Sequence, residues 1–208
     1  MRIVRGTHRR LAGLALAVMA MAPVAAIAQP AAAFPKGDSV IPFAYKLRVT
    51  THIKKLNQTI SPPQGTFKGQ IDLDQGRLAG SIALPPATFT MKLAGTVGVL
   101  TATARIVPTK PVTGTINLSN FRVKATSTFN LRIVSAYAAG VPVNLVGDSC
   151  TTATPVSVTM SGTASLSGSS KFSGTFTIPQ LKSCGLATPA LNQLIPGPGN
   201  TFSAVASP

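Results

Sequence analysis

The chain has 208 residues and carries 19 Lys and Arg against four acidic residues, with two Cys, no Trp and 5% aromatic residues, a length that suits one ordinary domain with additions. Glu is absent and the acids are Asp38, Asp72, Asp74 and Asp148, so the paired carboxylates of a glycoside hydrolase or the oxygen cage of a calcium site have few candidates. His8 and His52 are the only imidazoles and Cys150 and Cys184 the only thiols, which falls short of a His-rich or Cys-rich zinc centre.

Residues 1–28 read as an export signal. Arg2, Arg5, Arg9 and Arg10 precede an apolar run from Leu11 to Ala28, which ends in the A-x-A site Ala26-Ile27-Ala28. Ala31-Ala32-Ala33 offers a second cleavage site, and Pro23 within an Ala-rich run suits a cleaved segment better than a permanent span. Arg9-Arg10 before Leu11 resembles a twin-arginine signal, but His8 stands where Ser or Thr is usual, so the general secretory route stays open. Cleavage after Ala28 would leave 15 basic residues against four Asp, a formal charge of +11. Such a cationic chain attracts acidic lipids, phosphate-bearing wall polymers or DNA without selecting among them. Its basic residues are dispersed rather than clustered beside stacking aromatics, so specific nucleic-acid recognition is not expected.

After an irregular segment over residues 29–43, apolar and polar residues alternate with a period of two, and helical periodicity is scarce before residue 188. Tyr45, Leu47, Val49, Thr51 and Ile53 form one face; Lys46, Arg48, Thr50, His52 and Lys54 form the other. Phe67, Gly69, Ile71 and Leu73 lead through a turn at Asp74-Gln75-Gly76 to Leu78, Gly80, Ile82 and Leu84, the pattern of a hairpin. Further strands are expected near residues 87–94, 96–106, 112–118, 121–133, 155–166 and 171–178. The stretches 30–43 and 134–154, rich in Pro, Gly and Ala, read as loops.

A weak repeat aligns Gly69-x-Ile71-x-Leu73 and the following Gly80 with Gly162-x-Ala164-x-Leu166 and the following Gly174. Gly114-x-Ile116-x-Leu118 begins a degenerate middle copy. Inward glycines let a strand bend sharply or another backbone approach, as at the corners of a barrel. The expected fold is therefore all-β: a single domain over residues 44–208, built as an antiparallel β-sandwich or small β-barrel of about 8 to 10 strands.

Near the end, Thr188 is placed to cap a short C-terminal helix with Pro189 at its first position and Pro196 as its stop. Pro196-Gly197-Pro198-Gly199-Asn200 reads as a turn, and residues 201–206 as a closing strand. Cys150 and Cys184 are an even pair in a chain with an export signal, and a disulfide between them would fix this helix to the loop before residue 155.

The wording Pro142-Val143-Asn144-Leu145-Val146-Gly147-Asp148-Ser149-Cys150, with Cys184-Gly185 and Pro196-Gly197-Pro198-Gly199-Asn200-Thr201, resembles that of uncharacterised secreted proteins from high-GC actinobacteria. The resemblance spans roughly the last two thirds of the chain. It implies an exported β-rich envelope or extracellular protein and supplies no functional residues.

No residue pattern predicts catalysis, a cofactor or a metal. His52 lies in a polar row with no acid near it in sequence, Asp72 and Asp74 read as turn residues, and no G-x-S-x-G elbow is present. The chain reads as a secreted non-enzyme, extracellular or loosely held to the envelope, whose cationic surface meets an anionic wall or membrane component or a protein partner. The alternative is a carrier of a lipid or other apolar ligand inside a barrel, with Val123, Phe129, Leu131 and Phe176 as inward residues. An unfilled inward volume discriminates the two. A membrane pore, a third option, would carry aromatic girdles that two Tyr and no Trp do not provide.

Overall fold

The structure is a computed structural model that describes Phe34 and residues 39–92, 99–165 and 168–208; the expected export signal and Asp38 lie outside these residues. Twelve strands form one antiparallel system: β1 (Val40–Ile53), β2 (Gln58–Ile60), β3 (Gly65–Asp72), β4 (Arg77–Ala83), β5 (Ala87–Lys92), β6 (Val99–Asn117), β7 (Arg122–Ala138), β8 (Thr151–Thr152), β9 (Val156–Thr163), β10 (Ser170–Ile178), β11 (Leu181–Lys182) and β12 (Gly197–Ser207). One short helix, α1 (Thr188–Leu194), follows a 3-10 turn at Gly185–Ala187.

Eight strands close on themselves in the order β7, β9, β10, β12, β1, β3, β4, β6 and back to β7. Closure can be followed residue by residue. Val40 pairs with Asp72, Asp72 with Arg77, Arg77 with Thr115, and Thr115 with Lys124. Lys124 pairs with Ser161, Ser161 with Ser173, Ser173 with Ser203, and Ser203 with Thr50. The circuit returns to β1 ten residues beyond its start (50 − 40), which is the stagger of the barrel. Stagger sets tilt and width, so eight strands with a stagger of ten enclose more space than the stagger of eight whose interior side chains fill completely. The all-β expectation therefore resolves as a barrel rather than a sandwich.

The alternation read from sequence fixes which side chains face inward. Leu47 and Ile53 on β1, Phe67 on β3, Leu78 on β4, and Val158 and Met160 on β9 are buried, while Lys46, Arg48, Lys68, Ser157 and Thr159 are exposed. Inward glycines allow the tight coil. A Cβ on Gly69 would collide with the Ala79 carbonyl oxygen and lie 2.7 Å from the Gly80 Cα.

Several boundaries differ from the sequence reading. β1 begins at Val40, because Val40–Phe43 pair with Gly69–Asp72 despite Pro42. Residues 93–98, at the end of the strand expected at 87–94 and the start of that expected at 96–106, lie outside the described residues. The rest of 96–106 and the strand expected at 112–118 belong to one strand, β6, which stays paired with β7 although the register shifts around Pro108 and Pro111. β7 runs to Ala138 instead of ending at residue 133: a bulge opposite Thr103 and Ala104 lets Ser135–Ala138 continue the ladder. Pro196–Asn200 is not a free turn, since Gly197 opens β12 and Gly199 takes φ 79°. Thr188 is the first helical residue and not the cap. Its Oγ1 donates to the Gly185 carbonyl at 2.8 Å and accepts the Cys184 N–H at 3.2 Å.

Two apolar clusters divide the interior. The lower one, toward the 73–76 and 118–121 turns, gathers Leu47, Phe67, Leu78, Val112, Ile116 and Val123. The upper one joins Ile53, Leu100, Ile133 and Ile178 to Leu191 and Ile195 of the helical segment, which closes that end of the barrel. Cys150 and Cys184, both fully buried, form the expected disulfide and tie this cap to the start of β8. Asn192 clamps the helix from the other side: its Oδ1 accepts the Leu181 N–H at 2.7 Å and its Nδ2 donates to the Leu181 carbonyl at 2.9 Å.

Candidate functional site: an apolar cavity in the barrel

Between the two clusters the inward face does not fill the barrel. A cavity of about 130 Å³ lies beneath the cap and a second of about 110 Å³ lies below it. They share six lining residues, Val49, Thr51, Leu84, Ile106, Phe129 and Phe176, so they adjoin along the barrel axis. The upper cavity adds Ile53 of β1, Leu131 of β7, Ile178 of β10 and Ile195 beyond α1; the lower adds Phe67, Val158, Met160, Phe172 and Phe202. Among the described residues Thr51, Ser127 and Arg105 are the only polar side chains in the lining. Both spaces are open in part to the outside, and the four phenylalanines at positions 129, 172, 176 and 202 keep some accessible surface although all are inward.

The strands explain where the wall parts. β4 pairs with β6 only from Arg77–Gly80 to Val112–Thr115, and β5 pairs with β6 only from Ala87–Lys92 to Val99–Ala104. Arg105, Ile106 and Val107 belong to neither ladder and pair with β7 alone. Prolines 85 and 86, which have no N–H to donate, carry the chain across this interval. The upper cavity reaches the parting, where Pro62, Pro85 and Arg105 line it.

Of the inward residues singled out from sequence, Phe129, Leu131 and Phe176 line the cavities, whereas Val123 packs in the lower core. The structure brings Leu84, the last residue of the alternating run that begins at Leu78, to both cavities, and adds Ile106 and Ile195, which lie at or beyond the end of a regular run. Asn200 was also not singled out. It is 1% exposed and fastens the cavity's upper rim: Oδ1 accepts the Lys54 N–H at 3.0 Å, while Nδ2 donates to the Gly197 carbonyl at 2.8 Å and the Phe176 carbonyl at 3.4 Å.

The remaining sequence candidates lie elsewhere. His52 is on the outer face of β1, paired with Thr201 on β12, with Nδ1 3.5 Å from Thr59 Oγ1. Asp72 is a turn residue: its Oδ1 accepts the Asp74 and Gln75 N–H groups at 3.1 Å, and its Oδ2 meets the Arg77 guanidinium at 3.0 Å. The Arg77 hydrogen bond, followed by that from Gln75, holds the Asp72 carboxyl below its ordinary range. Among the described residues no helix is long and apolar enough to cross a membrane. An apolar interior with Lys, Arg, Ser and Thr outside is the reverse of the arrangement in a water-filled membrane barrel.

No family model, curated protein sequence or solved structure matches this chain.

Proposed function

We propose that this chain is an exported carrier of a small apolar molecule or a single hydrocarbon chain, held along the axis of the barrel. The observation behind this reading is the pair of adjoining apolar cavities within a closed eight-stranded wall. Eight-stranded barrels can hold one small ligand, and an engineered apolar cavity near 150 Å³ stays dry and takes up benzene or xenon. The adjoining arrangement suits an elongated guest, and the partly open walls give it a route in. Native mass spectrometry of the protein exported by its own cell, followed by organic extraction, tests the reading. A stoichiometric apolar adduct is expected. A clean apo mass, together with no uptake of a fluorescent apolar probe, would overturn it.

A second role concerns the exterior. Lys46 and Arg48 on β1, Arg122 and Lys124 on β7 and Lys171 on β10 are exposed. The three described acids lie apart from them, at the β3–β4 turn and in the segment after β7. This distribution supports attraction of an anionic envelope polymer or lipid surface by the carrier. Salt-dependent sedimentation with phosphatidylglycerol vesicles, absent with phosphatidylcholine, is the expected result.

A further inference from the structure

Among the described residues Arg105 is the one ionisable residue that lines either cavity, and it stands where the wall parts between β4 and β5. Its Nε is buried without a hydrogen-bond partner. Arg132 lies directly across the β6–β7 ladder from Arg105, and Asn130, which faces Val107, is the diagonal neighbour. All three are on the outer side of the ladder, alternating with the inward Ile106, Phe129 and Leu131, so they meet the cavity only where the wall parts. Asn130 Oδ1 is also buried without a partner, so no hydrogen bond joins it to Arg105. Arg132 spends one nitrogen on the Asp148 carbonyl. Among the described residues the single ion pair is Asp72 with Arg77, so neither Arg105 nor Arg132 meets a carboxylate.

Two guanidinium groups directly across a ladder repel each other, and a buried N–H without an acceptor carries the full cost of its lost hydration. An acidic oxyanion at this place would relieve both. Guanidinium presents its donors in the flat fork that carboxylates and phosphates accept, and the Asn130 amide, turned over, presents two more. The hydrocarbon of the same molecule would run past Ile106 and Leu84 into the cavity.

We infer that the ligand is a single-chain amphiphile with an acidic head group, whose oxyanion is bound by Arg105 with Arg132 and Asn130 at the parting of the wall. This rests on the carrier reading and names its substrate class. The head group can be a carboxylate or a phosphate monoester, since both offer the same oxygen geometry.

The test compares dodecanoate, dodecyl phosphate and dodecanol on the delipidated full mature protein by displacement of a fluorescent apolar probe. The unaltered protein should bind at least one of the two acids about tenfold or more tightly than the alcohol, and a larger advantage for one identifies the source of the head group. Arg105→Met should abolish the advantage of the acids over the alcohol, read as the ratio of the two affinities within the variant; Arg105→Lys should retain part of the preference. If Arg105→Met fails to fold, Asn130→Leu and Arg105→Lys carry the same comparison. Equal binding of acids and alcohol by the unaltered protein would overturn the head-group site and leave the carrier intact. Binding of none of the three would overturn both.

Discussion

The side chain of Asn200 accepts the backbone N–H of Lys54 at 3.0 Å, joining the first residues of β12 to the turn that ends β1 across 146 positions of sequence. It also donates to two carbonyls, one of them that of Phe176 beside the cavity. Asn200→Ala would remove the partner of three part-buried backbone groups, and a loss of about 1 to 2 kcal/mol is expected. Urea unfolding should show a lower midpoint with an unchanged slope.

The disulfide closes a loop of 34 residues between Cys150 and Cys184 and anchors the helical cap. Replacing both cysteines by alanine should cost about 3 to 4 kcal/mol on the chain-entropy account. The loss should be uneven. Hydrogen exchange of residues 185–195 should accelerate more than that of β3 and β4, which lie in the other cluster.

Phe129, Leu131 and Phe176 were legible as cavity residues because a strand alternates its faces and each sits in an unbroken run. What alternation does not carry is which remote strands meet. The barrel closes through β12 on β1 and β6 on β4, and those registers depend on packing between segments far apart in the chain. Pro108 and Pro111 look like strand breakers in isolation, yet β6 passes through them because the long ladder to β7 holds on either side. Arg105 was invisible as a site residue for a related reason. Its place at a parting of the wall is a property of where β4 and β5 stop pairing, not of its own neighbours in sequence.

Gly69 faces Gly80 across the β3–β4 ladder with no room for a side chain, since a Cβ there would also lie 2.8 Å from the Phe43 ring. Gly69→Ala should destabilise the barrel by about 2 to 3 kcal/mol through forced displacement of β4. Gly147→Ala is the control, because a Cβ there meets nothing nearer than the Ser183 carbonyl at 3.7 Å. Its stability should stay within the scatter of a surface substitution, roughly 0.5 kcal/mol, read as an almost unchanged thermal midpoint.

Asp72 binds Arg77 and two turn amides more strongly as a carboxylate than as the neutral acid, and these contacts hold its folded-state pKa below the ordinary value of about 3.9. A lowered folded value means that the stabilisation is fully present above the unfolded value and is lost as pH falls through the folded one. Between neutral pH and about pH 5 the effect of Asp72→Asn should therefore be constant. Below about pH 4 the gap between variant and parent should shrink, which thermal melts across that range would reveal.

Phe176 touches both cavities and contacts Phe202 edge-on with ring centroids 6.5 Å apart, so it partly separates the two spaces. A fully packed Phe replaced by Ala costs about 3 to 5 kcal/mol, because surrounding atoms lose their contacts. Phe176 already borders empty volume and keeps accessible surface, so Phe176→Ala should cost less, about 2 kcal/mol. The same change would merge the cavities and widen the path between them. Uptake of hydrocarbons should then shift toward longer or bulkier guests, measured by displacement with alcohols of increasing chain length. The opposite substitution, Val49→Phe, adds a ring at a residue lining both spaces and should abolish uptake while leaving the fold's circular dichroism intact.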